Sequence, residues 1–238
     1  MFIPKFLEDE ETGYLYESPS FMKEQQQKKF DLYLDNSNIP NFYYDIEFDH
    51  YQGDTNSISI QQILYYANNI GHEKFNHVSL YLWGSQGTQK TALSCNIGKA
   101  AMRKGLRVKF ILAGDLIAKF LKLQGYGNDY ALQNEVDDLR TYDVLLIDDC
   151  WDEEKSIWWK NSGSLIIAEW DIFLRSIIAN GVKIIMTSNY ALEVVSQKYG
   201  ISLFELLDRN FHQIHLTDSV KQLRKLNVAE AFRGMDNL

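Results

Sequence analysis

Cysteine is scarce in this chain, with only Cys95 and Cys150 among 238 residues. Two thiols do not complete a tetrahedral zinc site, and the five histidines show no C-x-x-C or H-x-x-x-H spacing to help them. Both a zinc module and a disulfide framework are therefore disfavoured. Proline is equally sparse, at three residues, and no Gly/Ser-rich tract, low-complexity segment or internal repeat divides the chain. No apolar run reaches the ~20 residues that span a bilayer. The first stretch, MFIPKFLEDEETG, has neither the basic start nor the apolar core of a secretory signal. Positive charge is in deficit, 24 Lys and Arg against 32 Asp and Glu for a formal net charge of -8. General attraction to the nucleic-acid polyanion is thus unfavourable. These absences set the expectation of a reduced, soluble, cytoplasmic protein with no membrane partner.

What is present is an ordinary globular composition, 45% hydrophobic and 24% charged, enough to bury a core. Lys99, Arg103, Lys104, Arg107 and Lys109 lie close together. They form either a solvated helix face, the usual meaning of such a run, or a local nucleic-acid contact. Residues 1–40 differ from the rest, being polar and aromatic. They read as an extension with one amphipathic helix, Phe21 to Leu34, whose apolar side is Phe21, Phe30 and Leu34. That helix docks on its own domain or presents a face to a partner.

From residue 60 onward helices and strands alternate. Helices are predicted over 60–69, 91–104, 115–124, 164–179, 191–199 and 202–208. Short apolar runs suited to buried strands cover 78–83, 107–113, 142–149, 182–189 and 212–216. Such alternation means a parallel sheet with helices on both faces, and ligands bind such sheets beyond the C-terminal strand ends.

At one of those ends stands GSQGTQKT, Gly84 to Thr91. The phosphate-binding pattern is G-x-x-x-x-G-K-[ST]; Gly84, Lys90 and Thr91 fit it, and Gln89 replaces the second glycine. A turn from a buried strand into a helix aims backbone N–H groups at an anion and adds the helix dipole. Gly84, Ser85, Gln86, Gly87, Thr88, Gln89, Lys90, Thr91 and Ala92 are accordingly the candidate phosphate cradle. Lys90 would reach the outer phosphates and the Thr91 hydroxyl would ligate Mg²⁺. Gln89 is expected to hold a helical-region backbone with its side chain swung outward. The alternative is a plain strand-turn-helix connection with a solvated lysine. VLLIDD ends in Asp148 and Asp149, carboxylates costly to bury beside Val144 to Ile147 unless a cation compensates. Asp148 is the candidate metal ligand, and Asp149 the group that orients an attacking water. Asn189, ending MTSN, would position water without adding charge.

These stretches in this order, with NIPNFYYDIEFDHY before them and FLRSIIANGVKIIMTSNY and YGISLFELLDRNFHQIHLTDS after, resemble an AAA+ ATPase of the DnaC/DnaI/IstB group, over residues 38–221. The resemblance implies an α/β P-loop NTPase fold, a central parallel five-stranded sheet flanked by helices, with the ATPase domain over 41–238. It implies ATP as ligand, Lys90 and Thr91 in Walker A, Asp148 and Asp149 in Walker B, Asn189 as sensor 1 and Arg209 as an arginine finger. That arginine would reach a neighbouring subunit's ATP, so the chain would self-associate. The implied partners are a replicative helicase and single-stranded DNA, or duplex DNA and a transposase for an IstB-type helper. A nucleotide-binding adaptor with negligible hydrolysis is the third alternative. Three features depart from the group. Gln89 puts turnover in doubt, neither Lys221 nor Arg224 matches sensor 2 cleanly, and the insert WDEEKSIWWKN (151–161) is unusual, its tryptophans expected to pack in the core.

Overall fold

The computed structural model describes residues 5–9, 14–126, 129–152 and 157–217. Lys221 and Arg224 lie outside the described residues, as do the side chains of Trp158 and Trp159. The chain opens with a two-stranded antiparallel hairpin, β1 (Phe6–Glu8) and β2 (Leu15–Glu17), which the sequence reading missed. Helix α1 (Pro19–Asn36) follows. Pro19 presets its first turn, and Ser18 caps it by accepting from Phe21 N.

After α2 (Ile58–Asn69) come β3 (Ser79–Trp83), α3 (Lys90–Arg103), β4 (Val108–Leu112), α4 (Ala113–Tyr126) and α5 (Tyr130–Asp138). Then come β5 (Val144–Cys150), α6 (Ile157–Ala179), β6 (Lys183–Ser188), α7 (Leu192–Tyr199), α8 (Ile201–Asn210) and β7 (Phe211–His215). Strands β3 to β7 form one parallel sheet in the order β4-β5-β6-β3-β7. One row across it pairs Phe110, Leu146, Ile185, Leu80 and His212. The predicted five-stranded parallel sheet is thus the observed one.

The two-residue period of the strands divides the core. Leu145, Ile147, Ile184 and Met186 face α4, α6, α7 and α8. Val144, Leu146, Ile185 and Leu80 face α1, α2 and α3. Both faces are buried, which is why the strands read as continuous apolar runs. Among the described residues no helix is long and apolar enough to cross a membrane.

Helix α1 is joined to this core rather than appended to it. Leu34 and Ile39 are buried in the α3 side of it. Beyond the helix, Ser37 O accepts from Phe110 N at 2.7 Å, and Asn36 O from Lys109 Nζ. The first bond pairs a backbone N–H on the outer edge of β4 that would otherwise lie exposed; the second ties a side chain of that strand to the end of α1.

Three expectations are corrected. Helix α5 was missed; Asp129 is its N-cap, accepting from Leu132 N. The insert after β5 is helical from Ile157, joined to the expected helix across a kink at Ser162. Trp151 is fully buried against Trp170 and Tyr199, as its apolar ring requires. Of the run from Lys99 to Lys109, Arg103, Lys104 and Arg107 are exposed, as a solvated face requires, and Lys99 is not. Lys99 is buried, Arg103 pairs with Glu47, Lys104 caps the last carbonyls of α2, and Arg107 pairs with Asp143.

Candidate functional site

Strand β3 leads straight into the glycine turn. At Gly84 (φ 153°) a Cβ would fall 2.1 Å from Leu216 O, so only glycine fits where the turn passes behind β7. Gly87 has φ 94°. Gln89 is the N-cap of α3 with φ 62° and ψ 24°. This corrects the expected helical-region backbone with an outward side chain: Gln89 lines the cavity, and the conformation is left-handed, where a Cβ is strained by about 1–2 kcal/mol and glycine is not. This is the physical reason the pattern prefers glycine, and the loop keeps its shape with glutamine all the same.

Lys90 is only 8% exposed, and its ammonium is held inside the loop. Nζ donates to Gly84 O at 2.8 Å, Ser85 O at 2.9 Å and Thr88 Oγ1 at 3.4 Å. Burial pushes the Lys90 pKa down, while the charges of Asp148 and Asp149 pull it back up. The loop thus wraps a cation that three neutral oxygens solvate incompletely, an arrangement suited to exchange for phosphate oxygens.

Facing it across the start of α3 is Asp148, 6% exposed. Thr91 Oγ1 donates to its Oδ2 at 3.0 Å, and Thr187 Oγ1 to its Oδ1 at 2.6 Å. Burial raises the Asp148 pKa; the two threonine hydrogen bonds oppose it and the Asp149 charge adds to it, with Lys90 too weak to reverse the outcome. The positive charge of Lys90 thus compensates this carboxylate only in part. The hard oxygens of Thr91 and Asp148 match what Mg²⁺ accepts, so the residues fit such an ion.

Consecutive strand residues normally face opposite sides of a sheet, yet Asp148 and Asp149 open on the same cavity. A bulge explains it. The register with β6 slips between Ile147 and Cys150, and Asp149 and Trp151 adopt φ 59° and 72°. Asp149 is thereby turned outward and exposed, with its N–H bonded to Thr187 Oγ1.

The cavity has a volume of about 740 Å³. Gln86, Gly87, Gln89, Lys90, Thr91 and Ala92 line it from the loop, with Asp148, Asp149 and Asn189 from the strand ends. Gly84, Ser85 and Thr88 do not line it; they shape the turn and hold Lys90. Sequence reasoning missed Thr187 and Asp152. Thr187 was legible, since a residue two before Asn189 shares its side of the strand. It also assigned no role to Pro40, Phe42 and Tyr43, which form an apolar wall. Arg209 is outside the cavity, 75% exposed on α8 and paired with Glu205 at 3.3 Å. Arg175 is bound to Asp171 and Ser202.

A family model described as IstB-like ATP binding protein matches residues 22–228. The chain belongs to that family. Among solved structures, the DnaC helicase loader is 19% identical, with 74% of this chain and 99% of that one covered and a TM-score of 0.59. DnaI is 18% identical, with 76% and 96% covered and a TM-score of 0.61. A replication initiator DnaA bound to AMPPCP and single-stranded DNA is 17% identical, with 84% and 57% covered and a TM-score of 0.57. At such identities the likeness is one of fold, an AAA+-like P-loop architecture. No curated protein sequence matches.

Proposed function

We propose that this protein is a helicase loader of DNA replication, an ATPase that binds ATP with Mg²⁺ and uses hydrolysis to release its partner. One observation carries the nucleotide site: the Lys90 ammonium and the Thr91–Asp148 pair converge on a single cavity at the C-terminal edge of the sheet. Lys90 leaves the Gly84 and Ser85 carbonyls to hold phosphate oxygens. Thr91 and Asp148 hold Mg²⁺, which neutralises charge on the phosphates when bound. Asp149 orients the attacking water, and Asn189 holds it near the terminal phosphate without repelling it. Turnover is slow because the strained Gln89 keeps a side chain where the phosphates approach.

Arg209 acts in a neighbouring subunit's site, so hydrolysis depends on self-association. Its high exposure and single weak ion pair support that reading, since little is lost when it changes partner. Contact with single-stranded DNA is local and weakens with salt; Arg103 and Arg107, the exposed arginines of the basic run, are its candidates. The site of action is the cytoplasm of a bacterial or phage-infected cell.

The second reading, an IstB-type transposition helper with duplex DNA and a transposase, is favoured by the family match. Association of the purified protein with a helicase or with a transposase, in the presence of ATP, separates the two. The enzymatic claim is tested by ATP binding and turnover. Lys90→Ala should abolish binding, Asp149→Asn should keep binding and lose turnover, and Gln89→Gly should raise turnover. Normal ATP binding by Lys90→Ala would remove the assigned site. Binding without turnover, restored by Gln89→Gly, would favour the adaptor.

A further inference from the structure

Lys99 lies on α3, nine residues beyond Lys90, and its side chain is 0% exposed. Its ammonium donates to Tyr43 O at 3.0 Å, Tyr44 O at 3.1 Å and also to Ile46 O. The Glu47 carboxylate stands 3.4 Å away and is itself bound by Arg103. A lysine taken fully out of water is expensive unless several acceptors surround it. Here those acceptors are the successive carbonyls of an irregular segment that belongs to no strand of the sheet. The cation therefore does for residues 43–47 what a strand partner does elsewhere: it fixes their backbone to α3.

That segment continues the wall made by Pro40, Phe42 and Tyr43. A triphosphate seated at Lys90 leaves its nucleoside to the remainder of the cavity, where the lining is apolar and aromatic: those three residues with Phe110 and Leu112. Phe42 and Tyr43 are packed edge to face at 5.1 Å, so each ring supports the other. Helix α3 thus carries the phosphate-binding group at its start and, two turns later, the group that holds the nucleoside wall.

We infer that Lys99 is a positioning residue for the nucleoside, setting the preference of the site for a nucleoside triphosphate over bare polyphosphate. The inference rests on the nucleotide site proposed above. Without Lys99, three carbonyls lose their donor, the 43–47 segment loosens, and the base loses its wall while the phosphate cradle stays intact.

The test is calorimetric titration of the full chain with Mg·ATP and, separately, with magnesium tripolyphosphate. In Lys99→Met, ATP affinity should fall about three- to tenfold, the worth of one aromatic contact, with tripolyphosphate affinity unchanged. Should Lys99→Met fail to fold, Glu47→Gln keeps the carbonyl bonds, weakens the cluster and should produce the same selective loss at smaller size. A parallel fall for both ligands, or no fall for ATP, would overturn the inference. The Lys90→Ala arm keeps the two ideas apart. If it abolishes binding of both ligands while Lys99→Met shows no selectivity, only the role of Lys99 fails. If Lys90→Ala binds both normally, the site assignment fails and takes this inference with it.

Discussion

At the scale of single residues, Asp148 shows how a functional group strains its own fold. Its carboxyl titrates above the ordinary value of 3.8 because of burial, in spite of hydrogen bonds from Thr187 and Thr91. A carboxyl whose folded-state pKa is raised binds its proton more tightly folded than unfolded. Its contribution therefore costs stability as pH rises from 3.8 through the folded value, and the cost persists at neutral pH. Asp148→Asn removes the charge and keeps two polar atoms for the threonines. It is expected to raise the melting temperature of the nucleotide-free protein at pH 7 by a few degrees, the shift that about 1 kcal/mol brings in a domain of this size. The same variant should lose the Mg²⁺ dependence of ATP binding. Calorimetry with and without Mg²⁺ measures both, and a lowered melting temperature would mean that the carboxylate is compensated within the protein itself. Glu47 runs the other way. Burial raises its pKa, but the Arg103 hydrogen bond and the Lys99 and Arg103 charges win and lower it, so its stabilisation is present above 4.5 and fades as acid protonates it.

At the scale of elements, the bulge ending β5 and the end of β6 are tied together by one side chain. Tyr190, next to Asn189, donates from its hydroxyl to Asp152 Oδ1 at 2.8 Å and from its N–H to Ser188 Oγ. Its carbonyl accepts from Tyr81 of β3 at 2.6 Å, and the Lys198 ammonium sits 4.2 Å from its ring centroid. These contacts fix the backbone on which Asn189 stands relative to Asp149. Tyr190→Phe deletes only the Asp152 link. Its expected signature is a kcat lowered several-fold with KM for ATP little changed, since Asn189 and Asp149 face the reacting end of the nucleotide and contribute little to its affinity. Steady-state ATPase rates decide it; a rise in KM at constant kcat would show that the link serves binding instead.

At the scale of the whole molecule, the end of α1 and the residues just after it are packed onto the sheet and α3. Leu34 and Ile39 are buried with α3, and the Ser37 carbonyl covers the edge of β4. Removing residues 1–36 takes Leu34 away and uncovers the apolar surface of α3 beneath it, which promotes self-association. The truncated chain is expected to melt lower and to aggregate. Thermal melts and light scattering report it, and a monomeric product with unchanged stability would mark residues 1–36 as a separate module.

The sequence by itself determined the parallel sheet and the group of polar side chains gathered at its edge, because both are written locally. Buried strands show as runs such as VLLID, and a turn that must hold phosphate needs Gly84, Lys90 and Thr91 in fixed succession. Tertiary structure alone decided three other matters. A bulge turned Asp149 to the side of Asp148. Carbonyls from residues 43–46, distant in sequence, converted Lys99 from an apparent surface charge into a buried anchor. Helix α1, which the sequence left open as docked on its own domain or facing a partner, packs on α3, and Ser37 just beyond it covers a sheet edge. Each depends on partners distant along the chain, and a burial or a hydrogen bond between distant segments leaves no periodic trace in either of them.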